Sequence, residues 1–354
     1  MSVSFQSLTK RFGADLAIDS LDLDIEPESF TVFCGPPKCG KSVLFRLLVG
    51  LETPDSGSII LNGTDITRIG PANRQVGYVP QSFALYPHLT VYQNIAYPLT
   101  LARRPKDEIA RRVDRAAGIL SITHLLEKTP DLLSGGEKQR TAVARGLLHD
   151  ASVFVLDDPL VGLDYKLRER LMDELKSLQT ELKATFLYAT SDSMEALTMA
   201  ERLIVLDKGR KVQDGSVETV YREPDHLRAM ELIGFPRANL IGGRHSSGLL
   251  EAGPFRIPLH RDTPGEVVIG IRPEAIKLGG NQGIAASAEV RLVEDLGSEY
   301  VVYLDSNGQA LTAAYPVGDS PAPAFQSSQG FAVEPRDIVI FDAGSGARIG
   351  RGAA

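Results

Sequence analysis

The sequence predicts an α/β domain followed by a small all-β domain, and three observations carry that reading. An apolar run, Phe30–Cys34, ends in a glycine-bearing turn and continues directly into a helical pattern. Further apolar runs at 152–156, 184–189 and 203–206 have the composition of strands buried on both faces, and a charged helical stretch at 166–183 separates the first two. Past Gly234 the texture changes, and Pro236, Pro254, Pro258, Pro264 and Pro273 punctuate short alternating runs. The chain has 354 residues, 43% of them apolar, enough for two or three packed cores at about 150 residues per domain.

Taken in order, Val3, Phe5 and Leu8, then Leu21, Leu23 and Ile25, alternate as two strands before Phe30–Cys34. Gly35 to Gly40 form the turn, Lys41 to Val49 the helix, and Gly50 stands where a C-cap belongs. Thr90 to Asp150 is rich in helix formers. Arg103, Arg104, Arg111 and Arg112, interleaved with Asp107, Glu108 and Asp114, read as a solvated helix face. Glu266–Ile271, Glu289–Val293 and Tyr300–Leu304 read as strands of the second domain, giving domains 1–234 and 235–354 with a helical subdomain at about 88–150.

Charge and composition remove several function classes. Thirty-eight Lys and Arg against 45 Asp and Glu leave a net charge of −7, which argues against a nucleic-acid partner. No apolar run approaches the ~20 residues of a spanning helix. The N-terminus lacks an export signal, so a cytosolic location is expected. Cys34 and Cys39 are too few for a disulfide framework and are expected to be free thiols.

The turn carries the chemistry. Gly35-Pro36-Pro37-Lys38-Cys39-Gly40-Lys41-Ser42 fits G-x-x-x-x-G-K-[ST] and lies between a strand and a helix, as a phosphate-binding loop must. Backbone N–H groups and the helix N-terminus face the phosphates, Lys41 supplies a point charge and the Ser42 hydroxyl binds Mg²⁺. Asp157, ending the apolar run 152–156, supplies the carboxylate of the Mg²⁺ shell.

Between these halves, Leu133-Ser134-Gly135-Gly136-Glu137-Lys138-Gln139-Arg140 resembles the signature of ATP-binding cassette (ABC) ATPases, about 19 residues before the apolar run that ends in Asp157-Asp158. Val76 to Gln81 resembles the Q-loop, Pro159 to Asp164 the D-loop, and Phe12 the aromatic that stacks on adenine. Ser82 to Val91 and Gly270-Ile271-Arg272-Pro273-Glu274 resemble the sugar and polyol importer ATPases, including the core of their OB-like (TOBE-type) regulatory domain.

The resemblance implies ATP and Mg²⁺ held by Phe12, Gly35, Pro36, Pro37, Lys38, Cys39, Gly40, Lys41, Ser42 and Val43. It adds Gln81 to the metal set with Ser42 and Asp157, and to the catalytic set with Asp158 and Ser191. Ser134, Gly135, Gly136 and Asp164 would complete a second subunit's ATP site. It further implies two membrane-spanning permease subunits, an extracytoplasmic solute-binding protein and a place on the cytoplasmic face of the inner membrane.

Four positions depart from the family pattern. Asp158 stands where Glu normally polarises the attacking water, one methylene short. Ser191 stands where a histidine contacts the γ-phosphate, and none of the six histidines (His88, His124, His149, His226, His245, His260) is near it in sequence. Pro37 has no N–H to offer a phosphate. Lys38 replaces glycine and must adopt a left-handed conformation or reshape the loop. All four lie in the half-site serving the chain's own ATP, whereas the residues offered to a partner are intact. The expectation is a slow own site beside a second, active ATPase subunit in a heterodimer, in an importer of a sugar or polyol such as glycerol or glycerol phosphate. The alternatives are an ordinary homodimer and another solute, an inorganic anion or a polyamine.

Overall fold

A computed structural model describes residues 2–259, 265–280 and 282–352; Pro264 and His260 of the sequence reading lie outside them. The chain divides into two compact units, the first reaching Val217 and the second starting at Glu218.

The first unit opens with β1 (Val3–Phe12), β2 (Asp15–Ile25) and β3 (Phe30–Cys34), then α1 (Lys41–Val49), β4 (Ser56–Leu61), β5 (Thr64–Asp65) and β6 (Val76–Val79). Three helices follow, α2 (Val91–Leu101), α3 (Lys106–Ile119) and α4 (Gly135–Leu147). Then come β7 (Val153–Asp157), α5 (Tyr165–Leu182), β8 (Thr185–Thr190), α6 (Ser193–Met199), β9 (Arg202–Asp207) and β10 (Arg210–Ser216). β2-β1-β4-β5 make an antiparallel sheet, and β10-β9-β3-β8-β7-β6 a second whose inner pairs are parallel. Every residue of β3, β7 and β8 is buried, which is why these strands appear in the sequence as unbroken apolar runs.

Helix α1 ends at Gly50, in the left-handed conformation (φ 84), where its N–H reaches back to the last carbonyls. The buried Arg74 guanidinium covers the same helix end: Nη1 donates to the carbonyls of Leu47 (2.6 Å) and Leu48 (2.8 Å), Nε to Ile69 (2.7 Å) and Nη2 to Thr67 (3.1 Å). α2 is nucleated by a capping box in which Thr90 and Gln93 exchange side-chain and backbone bonds. The arginines of this stretch do not simply face solvent: Arg104, just before α3, and Arg112 within it converge on Asp150 at 2.7 Å each, fastening α3 to the segment after α4.

The second unit holds α7 (Val217–Arg222) from its second residue, α8 (Leu227–Leu232) and β11 (Asn239–Ser246), β12 (Leu249–Ala252), β13 (Phe255–Pro258), β14 (Glu266–Ile271) and β15 (Lys277–Leu278). It continues through β16 (Ile284–Asp295), β17 (Glu299–Ser306), β18 (Gln309–Pro316), β19 (Ser328–Val333), β20 (Ile338–Asp342) and β21 (Arg348–Arg351). Two antiparallel sheets, β13-β12-β11-β14-β20-β21 and β15-β19-β16-β17-β18, share one core that includes Phe255, Phe331 and Ile269. The compact unit starts 16 residues before the boundary read at Gly234. The reason is packing: Met230 of α8 is buried against Val339 and Phe341, and Arg272 clamps the carbonyls of Tyr221, Met230 and Ile233.

Candidate nucleotide site

Strand β3 brings Cys34 to the carboxyl edge of the mixed sheet, and the chain turns through Gly35–Gly40 into α1. Two glycines are dictated by close approach. A Cβ on Gly35 would collide with the Leu206 carbonyl oxygen of β9, and one on Gly40 (φ 115) would stand 2.6 Å from the Ala17 carbonyl oxygen. Between them Lys38 takes the left-handed conformation, φ 67, so the loop keeps its shape at a cost of roughly 1–2 kcal/mol. Cys34 and Cys39 are buried free thiols. Burial pushes Cys34 up to about 12 and raises Cys39 against the opposing charge of Lys41, so neither is a poised nucleophile.

A cleft of about 400 Å³ opens at the turn, lined among others by Pro37, Lys38, Lys41, Ser42, Gln81, Asp158 and Ser191, with Gly40 and Val43 beside them. Lys41 is buried, and its ammonium donates to the carbonyls of Gly35 (2.6 Å) and Pro36 (3.2 Å), which pins the loop from within. Ser42 Oγ donates to Asp157 Oδ1 at 2.9 Å. Burial raises the carboxyl of Asp157, opposed by the Ser42 hydroxyl and reinforced by the charge of Asp158; burial likewise raises Asp158, opposed by Lys41. Two adjacent desolvated carboxyls beside a hydroxyl and the Gln81 amide form an all-oxygen donor set that suits Mg²⁺, which binds through one or two carboxylates plus substrate phosphates. Ser42, Asp157 and Gln81 would hold the ion, and its charge would neutralise phosphate oxygens during transfer.

Asp158 sits at φ 47, and its N–H donates to the Ala189 carbonyl at 2.9 Å. Its Oδ1 accepts from the Ser191 backbone N–H at 3.3 Å and its Oδ2 from Gln81 Nε2 at 3.5 Å. Among the described residues no histidine lines the cleft. Asp192 caps α6 through the N–H groups of Met194 (2.8 Å) and Glu195 (3.2 Å).

The remaining candidate residues stand elsewhere. Phe12 is 42% exposed, carries the Lys10 ammonium 5.2 Å from its ring centre and does not line the cleft. Ser134 caps α4 in a capping box with Glu137, whose carboxylate accepts from the Ser134 N–H at 2.7 Å. Ser134 and Gly135 are exposed, Gly136 packs beside Leu163, and Asp164 caps α5 through the Leu167 N–H at 3.0 Å; none of the four lines the chain's own cleft. Gln139 of α4 donates to the Pro159 carbonyl at 2.9 Å, which ties α4 to the segment that follows Asp158. The sequence reading missed Ala17 and Arg46 as cleft residues. Arg46 lies one helical turn beyond Ser42, so the 3.6-residue period was its available signal, and its Nε is buried without a hydrogen-bond partner.

Residues 18–161 match the ABC transporter family and residues 269–341 the TOBE domain. Over 309 residues, 87% of each chain, the sequence is 40% identical to the sn-glycerol-3-phosphate import ATP-binding protein UgpC 2 of Rhizobium johnstonii. The chain belongs to the ABC transporter ATPases.

Within that family it falls in the sugar and polyol importer branch. The xylose/arabinose import ATP-binding protein XacJ of Haloferax volcanii is 40% identical over 326 residues, 87% of this chain and 84% of that one. The maltose/maltodextrin import ATP-binding protein MalK of Vibrio cholerae is 38% identical over 325 residues, 89% and 87%. Among solved structures, the dimeric post-hydrolysis cassette MJ0796 bound to ADP and Pi superposes with a TM-score of 0.57 at 27% identity, over 61% of this chain and 98% of that one. ABC ATPases bind ATP, normally with Mg²⁺, and importer ATPases work with membrane permeases and a solute-binding protein. No helix among the described residues is long and apolar enough to cross a membrane.

Proposed function

We propose that this ABC ATPase energises uptake of a sugar or polyol, glycerol phosphate among the options, from the cytoplasmic face of the inner membrane. It holds Mg-ATP in its own cleft, hydrolyses it slowly there, and completes the site of a second, active ATPase subunit with Ser134, Gly135, Gly136 and Asp164. Two permease subunits and an extracytoplasmic solute-binding protein make up the rest of the transporter. The similarity to glycerol-phosphate, xylose/arabinose and maltose import proteins supports the solute class.

The observation that carries the slow site is the surrounding of Asp158. Its short carboxylate is engaged by the Ser191 N–H and the Gln81 amide, and Ser191 offers no imidazole to the γ-phosphate side. Transfer of phosphoryl to water depends on placing that water in line, and a misplacement on the ~1 Å scale costs about 10²-fold. On this reading Lys41 and the turn bind ATP, Asp158 orients water weakly, and Gln81 links it to the metal shell.

The test uses the purified transporter. Lys41→Ala should empty the chain's own site and leave much of the turnover running, whereas Gly135→Ala should remove most of it. A complex holding two copies of this chain and no second ATPase, or turnover abolished by Lys41→Ala and untouched by Gly135→Ala, would return the chain to the ordinary homodimer class.

A further inference from the structure

A second cavity lies outside the nucleotide cleft, with all its lining residues in the second unit. It measures about 610 Å³, inside the range of about 300–1,000 Å³ usual for small-molecule sites. Its walls carry five cations, Arg222, Arg272, Lys277, Arg336 and Arg351, against the three carboxylates of Glu223, Glu274 and Asp337, a surplus of two positive charges in a chain that is negative overall.

The cations are not equally committed. Arg351 pairs with Glu223 at 2.7 Å and Arg222 with Glu218 at 3.6 Å. Arg336 holds an exposed pair with Glu334, of the kind that water screens heavily. Lys277 reaches only the Glu274 carbonyl, at 2.8 Å, and no described carboxylate pairs with it. Arg272 is 8% exposed and lies 4.0 Å over the Tyr221 ring. Its Nη1 and Nη2 donate to backbone carbonyls of Tyr221, Met230 and Ile233, its Nε is buried without a hydrogen-bond partner, and no ion pair with a described residue balances its charge. A buried cation held by carbonyl dipoles and an aromatic ring, with no carboxylate in ion-pair contact, makes a positive cavity wall, since its charge is felt more strongly where water is excluded.

We propose that this cavity is a binding site for a small organic phosphate. The two cavity cations without a carboxylate partner among the described residues, Arg272 and Lys277, match a doubly charged phosphoryl group, and forked guanidinium donors suit its oxygens. The volume exceeds what an inorganic phosphate fills, and Pro224, Met230 and Val339 add apolar wall for an organic portion. Lys277 and Arg336 are both exposed at the cavity; Lys277 has no carboxylate partner among the described residues, and Arg336 can exchange its solvent-screened pair with Glu334 for the ligand.

Calorimetric titration of the full chain tests this, with the nucleotide cleft first filled by Mg²⁺ and a non-hydrolysable ATP analogue. Glucose 6-phosphate or glycerol 3-phosphate should bind, and glucose and glycerol should not. The double variant Lys277→Ala with Arg336→Ala, which touches no core residue, should weaken binding by about tenfold or more, as expected for lost charge-assisted bonds. Lys277→Arg should retain binding. The proposal is overturned if neither phosphate ester binds at millimolar concentration, if inorganic phosphate binds as well as the esters, or if the double variant binds normally.

Discussion

The backbone N–H of Ser191 donates to the carboxylate of Asp158 at 3.3 Å, so the two residues that depart from the family pattern after β7 and after β8 are in direct contact. Asp158 is drawn toward the β8 edge by its own side chain and by its N–H, which is bound to Ala189. Residues in contact couple rather than add. The double change Asp158→Glu with Ser191→His should therefore raise turnover at this site by more than the product of the single effects, measured as Mg-ATPase in the assembled transporter. Equal, independent increments would show that the two positions act separately.

Lys38 has two opposed effects. Its left-handed backbone stores roughly 1–2 kcal/mol, which Lys38→Gly relieves, while its ammonium adds a positive charge at the mouth of a cleft built for a triphosphate. If charge outweighs strain, Lys38→Gly weakens ATP binding by about fivefold at low salt and by less as the Debye length shortens to about 8 Å at 0.15 M. Lys38→Met, which keeps the strain and loses the charge, should bind ATP more weakly still. Tighter ATP binding by Lys38→Gly would give the decision to strain.

The raised carboxyl of Asp157 fixes the sign of a pH effect. Its folded pKa lies above its ordinary value of 3.8, so the folded state favours the protonated form. The nucleotide-free protein therefore keeps this stability contribution below about pH 4 and loses it as pH climbs through the folded value. Asp157→Asn should raise the melting temperature of the nucleotide-free protein at pH 7, by about 2–4 °C per kcal/mol relieved in a domain of this size. The gain should vanish toward pH 4, and the variant should lose the stabilisation that Mg-ATP gives the wild type. A melting temperature lowered at pH 7 would mean that the Ser42 hydrogen bond outweighs the burial.

Arg74 donates to two carbonyls at the carboxyl end of α1, Leu47 and Leu48, and to those of Ile69 and Thr67, so it ties the helix end to the segment after β5; burial lowers its pKa. Arg74→Ala strands these acceptors. Hydrogen bonds to charged groups contribute about 1.5–3 kcal/mol each net of water and are not additive within one side chain, so a loss of roughly 3 kcal/mol in urea unfolding of the first unit is expected. Because α1 follows the phosphate loop directly, ATP affinity should fall in the same variant. Arg74→Lys, with a single point of donation, should recover only part of either.

Much of the site was legible because phosphate recognition is local in the chain. Eight consecutive residues supply Gly35, Gly40, Lys41 and Ser42, and a backbone turn into a helix needs those residue types in that order whatever surrounds it. The same holds for β3, β7 and β8, whose two-sided burial forces apolar runs. For Lys38 the sequence left two choices, a left-handed backbone or a reshaped loop, and the structure takes the first, at φ 67.

What only the tertiary structure decided are contacts between residues far apart in sequence. Nothing local to Arg74 says that it will cap a helix ending at Val49, and nothing in Tyr221 or Met230 says that Arg272 will gather their carbonyls and draw α7 and α8 into the β unit. The exposure of Phe12 and the bond between Ser191 and Asp158 belong to the same class. Periodicity and motif spacing encode which face of an element is buried, whereas the partner that a long polar side chain finds depends on where the fold delivers unsatisfied carbonyls and charges. That delivery is set by the packing of whole elements, and the four residues on either side of an arginine carry no record of it.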